Sequence, residues 1–382
     1  MESERYISMI QDLKRCVNSM LLERDKLAGV KETASASPIW SEVTSVFSYL
    51  MNLSPEDFRN IRFHTGLFSG SSWDYWHRYP EPDPEVEAEK LGYIQAIQGV
   101  PEKYWIGEPP TLGIPRPLGV NYRGNIINYN IASFQWCVSS LYHAGALSSA
   151  AETKQKQLIV EIGGGYGGLA HSLGNILERQ ATYLLIDLPE MFLFQGAYLA
   201  VNNPEKAIYV YDSETFSPEF LARDIYDYDF ALIPNFALDK LHAIQEIAFL
   251  INIASFQEMT EEQVREYLDF AKKGTTYCIY SDNLDRHPYN RTGLASVSTL
   301  LEEYFDLNPS RQYYDDLYKI TDCTGYRCYK RYLGFPKGSG RAPLDSQMLH
   351  FPAVPKVSLH LRLLRRLVPQ FVRRAVWSWF TR

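Results

Sequence analysis

Fourteen consecutive residues constrain this chain more than any others: Gln157-Leu-Ile-Val-Glu161-Ile-Gly163-Gly-Gly165-Tyr-Gly167-Gly168-Leu-Ala170. The apolar, β-branched opening reads as a strand buried in a parallel sheet. Five glycines then turn the chain into an amphipathic helix spanning His171 to Arg179. Glycine is required where a backbone takes positive φ, or where it approaches another group too closely for a Cβ. Such a turn also aims the free N–H groups and the positive end of the helix at whatever occupies the crevice.

Two patterns fit the turn. Gly163, Gly165 and Gly168 satisfy the G-x-G-x-x-G of a dinucleotide site. Glu161, Gly163, Gly165 and Gly167 satisfy E-x-G-x-G-x-G, which resembles motif I of class I S-adenosylmethionine (SAM) methyltransferases. The resemblance implies a cofactor-binding loop that includes Tyr166. A carboxylate beside a pyrophosphate meets like charge; beside an ammonium and a sulfonium it meets opposite charge. Glu161 therefore favours SAM over a nicotinamide cofactor.

The segment that follows fits a nucleoside ligand of either kind. Thr182 to Asp187 reads as a second buried strand ending in an acid, about twenty residues past the glycines, where a ribose-binding acid is expected. The alternative is that Asp187 caps the helix beginning near Pro189. Lys206 to Tyr211 reads as a strand leading to Asp212, where the same resemblance implies contact with adenine. Tyr228–Pro234, Ile247–Phe256 and Gly274–Tyr280 are further apolar runs. Thr260-Glu-Glu-Gln263 is a capping box that opens a helix through Ala271. Segments 304–317 and 325–333 are expected to form a closing antiparallel pair. Strands alternating with helices predict an α/β fold with a doubly wound, mainly parallel sheet. Ligands bind beyond the carboxyl ends of such strands, and Glu161, Asp187, Asp212, Glu258 and Asp282 all fall near those ends.

A second motif, Asn252-Ile-Ala-Ser255-Phe-Gln257-Glu258-Met259, accompanies the glycine turn. Together with the loop from Glu108-Pro-Pro to Gly113-Ile-Pro115, the pair is similar to a family of sugar O-methyltransferases over residues 105–333. The resemblance implies a class I Rossmann-like methyltransferase fold, SAM as donor, a sugar hydroxyl as acceptor, and Asn252 in the cofactor-binding set. A hydroxyl is a weak nucleophile that a base assists. Glu258, just beyond a strand, is the first candidate for that base, and His287 the second. Glu258 alternatively serves the dipole of the helix after Thr260. Glu258, Asp282 and Asp285 together offer hard oxygen ligands for Mg²⁺; alternatively Asp282 and Asn283 are turn residues.

The pattern divides the chain into a helical N-terminal cap (1–150), a SAM-binding Rossmann-like domain (151–335), and a linker with a basic tail (336–382). Ile10, Leu13, Val17, Met20 and Leu27 recur at helical spacing and are read as an amphipathic face suited to a homo-oligomer contact. Tyr122, Arg123, Asn125 and Tyr129 are candidates for sugar contacts. His64, His77 and His143 have no partner pattern and read as structural. The cysteines (Cys16, Cys137, Cys278, Cys323 and Cys328) are few and scattered, which suits reduced thiols and no zinc site.

Charge is divided as well. Residues 351–382 hold seven Lys or Arg and no acid, leaving 31 basic against 45 acidic residues, a net −14, in the remainder. An acidic body argues against nucleic acid as a partner. In the tail Leu364, Leu367, Val368, Phe371, Val372, Ala375, Val376 and Trp379 share one helical face, and Arg362, Arg366 and Arg373 lie opposite. A basic amphipathic helix is expected to lie in a membrane surface through residues 358–382. No secretory segment or run of transmembrane length is evident, so the expected location is the cytoplasmic face of the cell membrane. The expected activity is O-methylation of a sugar in surface-polysaccharide or glycolipid assembly. The rivals are an NAD(P)-dependent sugar oxidoreductase and a non-catalytic membrane-associated scaffold.

Overall fold

The computed structural model describes residues 2–27, 34–69, 84–110, 117–153, 155–285, 296–309 and 329–340. His287, Cys323, Cys328, His77, the loop through Gly113-Ile-Pro115 and the basic tail lie outside the described residues.

A small hairpin, β1 (Val120–Tyr122) and β2 (Asn125–Ile127), precedes the main sheet. The sheet strands are β3 (Gln157–Ile162), β4 (Ala181–Asp187), β5 (Ile208–Val210), β6 (Phe230–Pro234), β7 (Glu246–Ile253), β8 (Thr275–Leu284), β9 (Phe305–Pro309) and β10 (Tyr329–Pro336). Among the described residues they form one sheet in the order β5-β6-β4-β3-β7-β8-β10-β9. The six strands from β5 to β8 are mutually parallel. β10 is antiparallel to both β8 and β9, which is the closing pair expected from the sequence. This is a Rossmann-like α/β fold. The parallel strands are apolar along almost their whole length because both faces are covered.

From β3 the chain steps to β4 on one side, and later returns across β3 to β7 on the other. The order reverses at β3, so a crevice opens beyond the carboxyl ends of β3 and β7. β6 lies between β4 and β5, and this moves Asp212. Pro234 rather than Asp212 stands beside Asp187 in the register, and Asp212 lies beyond β5 at the sheet edge.

Two helices from the first fifty residues matter for the site: α1 (Glu2–Leu27) and α2 (Pro38–Val46). Four more belong to the covering layers: α3 (Tyr129–His143), α4 (Gly168–Leu177), α5 (Phe192–Asn202) and α6 (Glu261–Lys273). The capping box at Thr260 and Gln263 forms as predicted, each side chain bonding the other's backbone N–H. Ile10, Leu13, Val17 and Met20 are buried and Leu27 packs against the same core. Their partner is the chain itself: α1 packs on α5, and a Cβ at Gly196 would lie 2.8 Å from the Leu13 side chain. The apolar face read as an oligomer contact is thus consumed within the chain. One continuous core joins these N-terminal helices to the sheet. Among the described residues no helix is long and apolar enough to cross a membrane.

Leu13→Ala is expected to destabilise the protein by about 2–4 kcal/mol through lost burial and the cavity left over Gly196. Equilibrium urea unfolding of the two proteins checks this; an unchanged midpoint would mean that α1 is not docked on α5.

Candidate active site

The glycine turn is shaped by its neighbours. Gly163, Gly165 and Gly167 all have positive φ (73°, 56° and 88°). A Cβ at Gly163 would lie 2.2 Å from Ser255 Oγ, and one at Gly164 would lie 2.1 Å from the Leu185 side chain. Gly167 takes the left-handed conformation that starts α4. Across the crevice Ala254 also has positive φ, 57°, in the turn after β7. Strain of this kind in a non-glycine residue persists only where the surroundings impose it.

Between this turn, the end of β7, β8 and the first turn of α3 lies a cavity of about 140 Å³. Its walls include Glu161, Gly163, Gly164, Gly165, Tyr166, Ile253, Ala254 and Asp282 from the sheet side. Phe68, Ser69, Tyr129, Asn130, Ser133 and Phe134 come from the N-terminal elements. Of the residues singled out in the sequence, the structure brings Glu161, Gly163, Gly165, Tyr166, Tyr129 and Asp282 to this cavity.

Glu161 is 2% exposed and accepts a hydrogen bond from the Tyr183 hydroxyl at 2.8 Å. No cation pairs with it among the described residues. Burial pushes its carboxyl up to about 8, the Tyr183 bond opposing this and the charge of Asp187 adding to it. Tyr166 is buried under the Arg62 guanidinium, 4.0 Å from the ring centroid, and meets Tyr198 edge to face. Arg62 is itself fully buried and bonds Glu108 through Nε at 2.8 Å. It also donates to Thr65 Oγ1 and Ser69 Oγ. Asn128, the N-cap of α3, donates to Glu108 as well, at 2.7 Å. One buried ion pair thus ties the N-terminal elements to both the glycine turn and α3.

Asp187 closes β4 and is wired into the same turn. It accepts from Leu188 N–H at 2.8 Å and from Gln195 Nε2 at 2.6 Å. Gln195 also donates to Gly165 O at 3.2 Å. Burial raises the Asp187 carboxyl to about 7 against the Leu188, Gln195 and Gly164 hydrogen bonds. The helical turn at Pro189 receives no side-chain cap, so the capping alternative does not describe Asp187.

Three sequence candidates sit elsewhere. Asn252 is fully buried at the end of β7. It donates to Ile162 O at 2.9 Å and accepts from Phe256 N–H and Asn283 Nδ2. Its amide clamps the ends of three strands. Asp212 has its side chain engaged with Glu214 N–H in a local turn, two strands away from β4. Glu258 accepts from the Trp40 indole N–H at 2.6 Å. It is not among the residues that line the cavity, and burial raises it to about 7 against bonds from Trp40 and Gln257.

The three carboxylates proposed for Mg²⁺ are not gathered. Glu258 is held by Trp40, Asp282 by Arg331 at 2.7 Å, and Asp285 by Lys330, Ser296 and Ser298. Burial would raise Asp285, but those bonds bring it down to about 2. Asp282 and Asn283 are strand residues of β8, not turn residues. Among the described residues no cluster of His, Cys, Asp and Glu suits a metal ion.

Sequence reading missed Arg62, Gln195, Tyr183 and Arg331. Arg331 follows another base, Lys330, in β10, so no local signal set it apart. The others act through long-range contacts.

No protein-family profile matches the chain, and no curated protein matches it in sequence. Similar solved structures include the methyltransferase domain of bacterial CtHen1 (10% identity, 55% of this chain and 100% of that one, TM-score 0.34). Another is a SAM-dependent methyltransferase from Aquifex aeolicus (14%, 51% and 93%, 0.30). A third is an O-methyltransferase family protein from Burkholderia thailandensis (11%, 55% and 60%, 0.29). At these superposition scores the fold stands on the strand order and directions given above.

Three buried carboxyls (Glu161, Asp187 and Glu258) have folded values above those of the unfolded chain, so the native state holds more protons between roughly pH 4.5 and 8. Their joint contribution makes the ligand-free protein less stable as pH rises through that window. Glu161→Gln keeps an acceptor for Tyr183 and removes one ionisation. It is expected to raise Tm by several degrees over wild type at pH 8.5 and to change it little at pH 5. Thermal melts at both values test this, and an equal shift at the two would contradict it.

Proposed function

We propose that the chain is a SAM-dependent O-methyltransferase whose acceptor is a sugar hydroxyl. One observation carries the cofactor reading: a buried carboxylate with no cation partner among the described residues, Glu161, on the wall of the cavity beside the glycine turn. A dinucleotide pyrophosphate in that place would meet a desolvated acid, whereas a ligand bearing an ammonium and a sulfonium supplies the missing charge. Asp187, at the end of the neighbouring strand, suits the ribose hydroxyls.

Displacement at a sulfonium methyl needs little covalent help, and holding the acceptor oxygen in line with the methyl group supplies most of the gain. The sugar assignment is supported by the paired motifs at Glu161–Gly168 and Asn252–Met259. It is also supported by the aromatic side chains on the cavity wall, Phe68, Tyr129 and Phe134. On this reading Glu258 serves as base only if the acceptor displaces the Trp40 indole, and His287 is the other base candidate. The basic tail would hold the enzyme at an anionic membrane surface, where lipid-linked glycans are assembled.

Calorimetric titration with S-adenosylhomocysteine is the direct test, with NADH as the competing ligand. Binding of the former alone is expected, weakened roughly tenfold by Glu161→Gln, or about 1.4 kcal/mol. Binding of NADH alone would replace this reading with a sugar oxidoreductase, and binding of neither with a scaffold. Removal of residues 358–382 is expected to abolish co-sedimentation with anionic phospholipid vesicles; unchanged sedimentation would contradict the membrane role.

A further inference from the structure

Methyl transfer to a hydroxyl is helped by a group that takes its proton. Of the two base candidates read from the sequence, Glu258 is held by the Trp40 indole and is not among the residues that line the cavity. His287 lies outside the described residues. Asp282, near the carboxyl end of β8, is on the cavity wall.

The sheet register sets Asp282 apart from Glu161. Glu161 stands opposite Ile251, and Ile253, two residues on, stands opposite Asp282. Residues opposite one another share a face of the sheet, as do residues two apart along a strand. Glu161 and Asp282 therefore face the same side with β7 between them, about 12 Å apart at their Cα atoms for ordinary strand spacing and rise. The two acids lie along the crevice rather than side by side.

Asp282 is 2% exposed. Arg331 stands opposite it on β10 and donates from Nε to Oδ2 at 2.7 Å. Oδ1 has no hydrogen-bond partner among the described residues, which is costly for a desolvated carboxylate oxygen. Burial pushes the carboxyl up, and Arg331 opposes this by favouring the ionised form, the one that accepts a proton. Helix α3 packs over the pair: the Arg331 guanidinium lies 4.8 Å from the centroid of the Trp136 ring, and Ser133, one turn earlier, is on the cavity wall.

We infer that Asp282 is the general base for the acceptor hydroxyl, an assignment that rests on the methyltransferase reading. Its Oδ1 takes the hydroxyl proton as the acceptor oxygen forms its bond to the methyl carbon. The carbon–sulfur bond breaks with its electron pair left on sulfur, so the sulfonium becomes a neutral thioether. The Asp282 carboxylic acid then returns the proton to water.

The test uses the full chain, SAM labelled in its methyl group, and a panel of methyl glycosides of hexoses and 6-deoxyhexoses, the acceptor being the one that the wild type methylates fastest. Asp282→Asn is expected to lower kcat at least about a hundredfold. Its affinity for S-adenosylhomocysteine should stay within about twofold of wild type. Because an amide in place of the carboxylate would strand the buried Arg331 charge, the neutral double variant D282N/R331Q is measured alongside, with the same pattern expected. A kcat near that of wild type in either variant would overturn the assignment. Parallel loss of kcat and of S-adenosylhomocysteine affinity in both variants would also overturn it, reducing the pair to a support of the fold. A wild type that binds S-adenosylhomocysteine but methylates no glycoside would remove the sugar acceptor and this base together, leaving the donor reading intact. Failure to bind S-adenosylhomocysteine would remove the donor reading as well.

Discussion

Space at the end of β3 is the constraint from which the rest of the site follows. The backbone at Gly163 and Gly164 passes so close to Ser255 and Leu185 that a single Cβ would collide with either. This closeness brings the end of β7 and the end of β4 against one turn, and the order of the sheet reverses there. Asp187 and Gln195 then fix the turn by hydrogen bonds to its backbone and to each other. A ligand entering the crevice meets a backbone that is already set, so little conformational entropy remains to be lost on binding.

Around that turn the buried charges are unevenly matched. Arg62 and Glu108 pair with each other and with hydroxyl and amide groups, so their desolvation is offset by several hydrogen bonds. Asp282 and Arg331 are paired through one carboxylate oxygen, and the other oxygen has no partner among the described residues. Glu161 has a neutral tyrosine and, among the described residues, no cation. The deficit of positive charge is concentrated on the cavity wall, where a cationic ligand would relieve it. Buried polar groups left short of partners are uncommon in folded proteins, and here they lie on the wall of the cavity beside the glycine turn.

Much of the fold was legible in the chain because parallel strands buried on both faces must be apolar runs, and the helices between them must be amphipathic. The capping box at Thr260 and the antiparallel pair at the sheet's far edge both lie where the local pattern put them. Three readings left out contacts made by segments distant in sequence. The α1 face, Asp212 and Asn252 each looked like a contact for something outside the fold, yet each is placed by a partner distant in sequence. Gly196 receives Leu13, β6 inserts itself between β4 and β5, and Ile162, Phe256 and Asn283 use the Asn252 amide.

What the sequence by itself determined is the strand–turn–helix at Gln157–Leu177 and the acid within it, because glycine spacing and hydrophobic period are local properties of a chain. Tertiary structure alone decided that Arg62 would lie on Tyr166, that Glu258 would be claimed by Trp40, and that Asp282 would join Glu161 on one face of the sheet. Those outcomes depend on strand order and register, which are fixed by the packing of segments tens to hundreds of residues apart. No local propensity encodes which side chain will fill the space that another leaves.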